Sequence, residues 1–178
     1  MIGIQRLAPR LGLLSIAIAL VAANPATAAP PAEVAVGQTL PDTVMDGLNG
    51  PARALASYRG HPLIINVWAS WCGPCRAETA SLERLAWSDA ARGIAVIGIS
   101  TDDYRDRALA WLRQSNATYN HYIDHGLVLE SLLGAKQLPL TVLVDAQGRV
   151  RAKITGSKDW DSPQAQRLIE TTLGSARR

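Results

Sequence analysis

The sequence predicts an α/β domain: a central mixed β-sheet flanked by helices, with an N-terminal β-hairpin extension. Three observations carry that expectation. Two apolar, β-branched runs, LIINVWAS at residues 63–70 and IAVIGIS at 94–100, are each followed by a segment with helical spacing. Strand, helix, strand, helix in that order implies parallel pairing. A later run, LTVLVD, leads through the turn AQG into RVRAKITG and reads as a hairpin, which adds antiparallel partners. The chain's 178 residues, 48% apolar and 19% charged, suffice for one packed core.

Taken in order, the chain opens with Arg6 and Arg10 ahead of an apolar stretch at 11–23, then Asn24-Pro25 and the small triplet Ala26-Thr27-Ala28. That is the layout of a secretory signal, with cleavage expected near Ala28, so that residues 1–28 are a leader and 29–178 the mature domain. An uncleaved N-terminal anchor is the alternative, although the apolar stretch is shorter than the roughly 20 residues that span a bilayer. Removing the leader's two arginines lowers the formal charge from +3 to +1. With no basic run interleaved with aromatics, nucleic acid is not an expected partner.

Residues 29–60 are rich in turn formers and read as an irregular lead-in with a hairpin. Residues 63–70 then suit a strand covered on both faces. From Gly73 the pattern is helical as far as Gly93. Residues 101–116, TDDYRDRALAWLRQSN, place Tyr104, Ala108, Trp111 and Leu112 on one helical face, with acids in the first turn. A short strand at 119–124, a brief helix at 126–133, the hairpin, and a last helix opening at Ser162-Pro163 and running to about Leu173 complete the order. Trp68, Trp87, Trp111 and Trp160 read as core or helix-face residues, and HYIDH around His121 and His125 as a surface loop with no assigned role.

Both cysteines of the chain lie in NVWASWCGPC, with only Gly73-Pro74 between them. Only a thiolate attacks a disulfide, and a thiol near pKa ~8.5 can fall by about a unit or more where unpaired N–H groups and a helix dipole favour an anion. Cys72 stands at that place if the strand ends near Ser70 and the helix starts at Gly73. Cys75, one turn on and further inside, can displace a partner bound to Cys72. A structural disulfide is the rival reading, but a two-residue spacer closes almost no loop and so contributes little entropic stabilisation. Zinc needs four ligands, and His61, His121 and His125 show no spacing that completes a set. Haem attachment needs a histidine where Arg76 stands. Copper(I) on two thiolates stays open. No cofactor and no metal are expected.

NVWASWCGPCRAE, with VGQTLPDTVMDGLNG upstream and QLPLTVLVDAQGRV downstream, resembles the thioredoxin superfamily, and within it the exported TlpA/ResA/CcmG-like branch. The resemblance implies a thioredoxin-like fold, an exposed nucleophile at Cys72, a buried resolving cysteine at Cys75, and a redox disulfide between them. It implies further that Trp71 and Pro74 complete the motif, that Pro139 is the family's cis-proline, and that the backbone of Leu138 pairs with an extended substrate segment. Glu78 resembles the branch's acidic residue near the thiols. Asn66 stands where cytoplasmic thioredoxins carry a buried aspartate, so proton transfer could fall to Glu78, one turn beyond Cys75; a solvated helix acid is the other reading. Two departures are Glu78-Thr79-Ala80 in place of Glu-Met-Pro, and Gln137-Leu138-Pro139-Leu140 in place of a Gly-x-Pro-Glu loop.

The expected activity is thiol-disulfide exchange, reducing disulfides of exported proteins such as apocytochrome c or copper-assembly factors. The expected place is the periplasm, with a membrane thiol donor resupplying electrons and the protein acting as a monomer. A periplasmic oxidase or isomerase, or a copper(I)-handling protein, are the alternatives.

Overall fold

The computed structural model describes residues 31–88 and 93–174, so the expected leader and its boundary lie outside the described residues. Seven strands form one sheet: β1 (Val44–Gly47), β2 (Arg53–Ala54), β3 (Leu63–Trp68), β4 (Ala95–Ser100), β5 (Asn120–Ile123), β6 (Leu140–Val144) and β7 (Val150–Thr155), in the order β2-β1-β5-β4-β3-β6-β7. Among the described residues four helices, α1 (Gly73–Ala86), α2 (Arg105–Ser115), α3 (Val128–Leu133) and α4 (Pro163–Leu173), flank it, and a 3₁₀ turn spans Leu55–Tyr58.

The parallel pairs are β3 with β4 and β4 with β5, which the long α1 and α2 crossovers make possible. β6 and β7 form the C-terminal hairpin, and β6 runs antiparallel to β3 with Val67 opposite Leu140. The expected N-terminal hairpin exists as β1 with β2, and β1 also pairs antiparallel with β5.

All six residues of β3 are buried, as an unbroken apolar run in a sheet covered on both faces requires. Its side chains alternate between two apolar layers. Ile64 and Trp68 point to the layer closed by α1, α2 and α4, with Leu82, Leu85, Leu112 and Ile169. Leu63, Ile65 and Val67 face the layer built with Leu129, Leu132, Leu133 and the lead-in residues Val34 and Leu40. Asn66 shares the first face by the same alternation. β3 ends two residues sooner than the sequence suggests, because Ala69 to Cys72 close a turn in which the Cys72 N–H donates to the Ala69 carbonyl at 3.1 Å.

Two expectations need correction here. The acids of TDDYRDR are not all in the first turn of α2, which begins at Arg105 and holds only Asp106 there. His121 is no surface-loop residue: it lies in β5, 2% exposed, because β1 covers what would otherwise be a sheet edge. Trp160 is fully buried, while Trp87 is exposed on the end of α1. Among the described residues no helix is long and apolar enough to cross a membrane.

Candidate active site

Cys72 is the N-cap residue of α1, with extended backbone, and Pro74 lies in the first turn. Proline suits that place because the first-turn N–H groups have no intrahelical acceptor and its φ is already helical. The Cys72 sulfur accepts the Cys75 N–H at 3.2 Å, so it takes the position that a serine or aspartate oxygen holds in an ordinary helix cap. Cys72 and Cys75 are joined by a disulfide. Cys72 is only 5% exposed in this oxidised state, and Cys75 is buried as well, so the exposed sulfur implied by resemblance is not what this state presents. Bonded to Cys75, the Cys72 sulfur lies back over the first turn and packs into the apolar layer rather than toward water. The large exposed side chain beside the cysteines is Trp71, 70% accessible.

The Leu138–Pro139 peptide bond is cis. Register places it at the site: Leu140 opposes Val67, so the loop preceding β6 lies at the end of the sheet where β3 leads into the cysteine turn. Leu138 packs against both apolar layers, including the one that holds the two cysteines, and the Pro139 carbonyl accepts the Gly156 N–H at 2.9 Å.

Glu78 is not a solvated helix acid; it is 1% exposed beneath α1. Asn66 Nδ2 donates to its Oε1 at 2.8 Å, while Trp160 Nε1 and the Lys158 N–H donate to Oε2 at 2.9 and 3.1 Å. The same Asn66 amide donates to Thr141 Oγ1 at 3.1 Å, tying the carboxylate to β3 and β6 together. Burial pushes the Glu78 carboxyl above its usual range, and the hydrogen bonds from Trp160, Lys158 and Asn66 offset part of that push. In the sequence, the place of Glu78 one turn beyond Cys75 and a polar Asn66 in a strand otherwise apolar are the signs of this site; nothing marks Lys158 or Trp160, some 80 residues downstream, as its partners.

Arg76, next after Cys75, lays its guanidinium over the Trp111 ring at 4.3 Å, which fixes a cation on the first turn of α1 against α2. Among the described residues no group of three or more His, Cys, Asp and Glu side chains could hold a metal ion.

A helix-capping sulfur paired one turn on, a buried carboxyl one further turn along the same helix and a cis-proline loop at the same end of the sheet form a dithiol-disulfide centre. Comparison with known proteins agrees. The AhpC/TSA family model matches residues 36–153. The chain is 34% identical over 150 residues to the thiol:disulfide interchange protein DsbE of Vibrio cholerae, covering 81% of this chain and 79% of that one. It is 30% identical over 124 residues to the thiol-disulfide oxidoreductase ResA of Geobacillus thermodenitrificans, covering 70% and 71%. A crystal structure of a putative DsbE from Chlorobium tepidum superposes with a TM-score of 0.68 at 26% identity, over 79% of this chain and 96% of that one. The chain belongs to the AhpC/TSA family of the thioredoxin superfamily, among its thiol-disulfide oxidoreductases.

Proposed function

We propose that this protein reduces disulfides in exported proteins, with Cys72 as the attacking sulfur and Cys75 as the resolving one. The observation that carries the reading is the cap: in the reduced state the Cys72 thiolate would meet the Cys75 N–H and the positive end of α1, both of which favour the anion. The thiolate attacks one sulfur of the substrate's disulfide, forming a mixed disulfide and releasing the other sulfur as a thiolate. Cys75 then loses its proton and attacks Cys72, which closes the pair and frees the second substrate sulfur. Two electrons pass to the substrate, and an external thiol donor must return them.

Glu78, one turn beyond Cys75, suits the proton step. A carboxyl raised by burial lies closer to a thiol's pKa than an exposed one, which improves proton exchange between them. Trp71 supplies an exposed aromatic surface for the substrate, Pro74 fixes the cap, and Leu138 with Pro139 offers the extended edge on which a substrate segment lies.

The direction of electron flow rests on the Gly73-Pro74 spacer, shared with reducing thioredoxins at about −270 mV against about −120 mV for strong oxidants. The leader-like start supports the periplasm as the place and exported thiol proteins, apocytochrome c or copper-assembly factors among them, as substrates. Redox titration against dithiothreitol should give a potential in the reducing range; one near the strong oxidants contradicts the direction. Cys75→Ser should trap mixed disulfides through Cys72, whereas trapping through Cys75 in Cys72→Ser would reverse the roles.

A further inference from the structure

Behind the cysteine turn lies a buried carboxylate that the exchange chemistry does not use. Asp102, 2% exposed, follows β4 and points back across the sheet end to the loop between β3 and α1. Its Oδ2 accepts the Ser70 N–H at 2.9 Å and its Oδ1 accepts the Ser70 hydroxyl at 2.6 Å. Ser100 Oγ donates to Oδ2 at 2.8 Å and accepts the Asp102 N–H at 3.2 Å, which locks the carboxylate's own orientation. One residue along, the Thr101 N–H donates to the Trp68 carbonyl at 2.9 Å, so the two loops are laced side by side.

Ser70 is the second residue of the four-residue turn that ends at Cys72, and Trp71, the third, is exposed. The direction from which the chain enters the helix cap is therefore set at Ser70, and Asp102 holds both of that residue's donors. Charge-assisted hydrogen bonds of this kind are the stronger class, and a buried carboxylate with fixed acceptors leaves the turn little freedom. We infer that Asp102 is a positioning residue for exchange: by clamping Ser70 it keeps the Cys72 sulfur over the Cys75 N–H at the tip of α1. The inference rests on the reading of Cys72 as the attacking sulfur.

The carboxylate could act in two opposed ways, and they differ in sign. As a clamp it favours the thiolate, because it holds the sulfur on its donors. As a nearby negative charge it disfavours the thiolate. The test is the pH dependence of Cys72 alkylation by iodoacetamide in the full mature chain, with Cys75→Ser as the common background so that one sulfur is read.

Ser70→Ala removes one bond and leaves the charge, and should raise the alkylation midpoint by a few tenths of a pH unit. Asp102→Ala removes both bonds and should raise it further, by about one unit. Asp124→Asn serves as control. Asp124 is likewise a buried carboxylate at the end of the next strand, accepting the Val128 and Glu130 N–H groups, but it has no bond to the cysteine turn. It should leave the midpoint unchanged even where it lowers stability.

A downward shift in Asp102→Ala, an unchanged midpoint in both Ser70→Ala and Asp102→Ala, or an equal shift in the Asp124→Asn control would each overturn the inference. Dithiothreitol exchange of the unsubstituted chain separates this from failure of the underlying reading. An inert parent refutes the exchange role itself, whereas an active parent with unshifted variants refutes only the clamp.

Discussion

Glu78 and His121 are buried on the same side of this sheet, and they are buried in opposite ways. Glu78 has three donors aimed at its two oxygens. His121 has none: among the described residues both of its ring nitrogens lack a hydrogen-bond partner, as does Trp68 Nε1 beside it. Its imidazole packs at 5.5 Å edge-on to the Trp68 ring, at 4.1 Å from the Tyr119 ring, and against Gly98, where a Cβ would come within 2.2 Å of Nδ1. The difference separates a group whose charged form is partly compensated from one whose charged form has no compensation. Donors compensate an ionised carboxylate for the water it loses, while an imidazolium between aromatic rings would have no such compensation.

The contrast is sharpest in acid. Burial lowers the His121 pKa to about 3, while the unfolded imidazole binds a proton below about 6.5. The stability contributed by this site is thus complete above about pH 6.5 and is lost as pH falls toward 3, on the order of 5 kcal/mol across the window. Glu78 slopes the other way: with its folded pKa raised, its contribution is present below the usual glutamate range and lost as pH rises through the folded value. Urea unfolding from pH 7 to pH 4 should show the His121 loss, and His121→Leu should flatten the curve. An unchanged slope in that variant would place the acid sensitivity elsewhere.

Next in size is Glu78→Ala, which leaves the buried Trp160 indole N–H without its acceptor and takes one acceptor from Asn66 and from the part-buried Lys158 N–H, and should lower unfolding free energy at pH 7 by about 3 kcal/mol. It should also slow resolution of the mixed disulfide without changing the rate at which Cys72 is alkylated, a separation that stopped-flow measurement can read. Gly98→Ala follows, at about 2 kcal/mol, since the new methyl must displace the imidazole and the Trp68 ring in a close-packed layer. The smallest effect belongs to His121→Leu at pH 7, within about 1 kcal/mol, because an unpartnered polar ring is exchanged for an apolar side chain. A loss there as large as that in Glu78→Ala would mean that His121 has polar partners after all, and would erase the distinction.

The sequence made one of these two groups legible and not the other. Asn66 in an apolar strand and Glu78 one turn after Cys75 drew attention to that position, though periodicity could not decide between a solvated acid and a buried one. Burial depends on the segment that brings Lys158 and Trp160 over the helix from β7, and tertiary closure of that kind leaves no local pattern. For a similar reason the sequence does not show His121 to be buried: HYIDH looks polar, and the pairing of β1 with β5 turns that strand inward. Asp102 was hidden because TDDYRDR has the composition of a helix start, yet the helix begins three residues later and the carboxylate turns back to Ser70. What could be read directly was whatever local chemistry dictates: the buried run of β3, the Gly-Pro helix entry with its two cysteines, the C-terminal hairpin, and the Ser162 cap whose hydroxyl accepts the Ala165 N–H.

Everything proposed for catalysis depends on Cys72 being an acidic thiol because of where the chain puts it. Alkylation of reduced Cys75→Ser by iodoacetamide as a function of pH measures that property alone. A rate midpoint at least one unit below the ~8.5 of a free cysteine is the expected result. A midpoint at or above that value would show that the helix tip does not activate this sulfur.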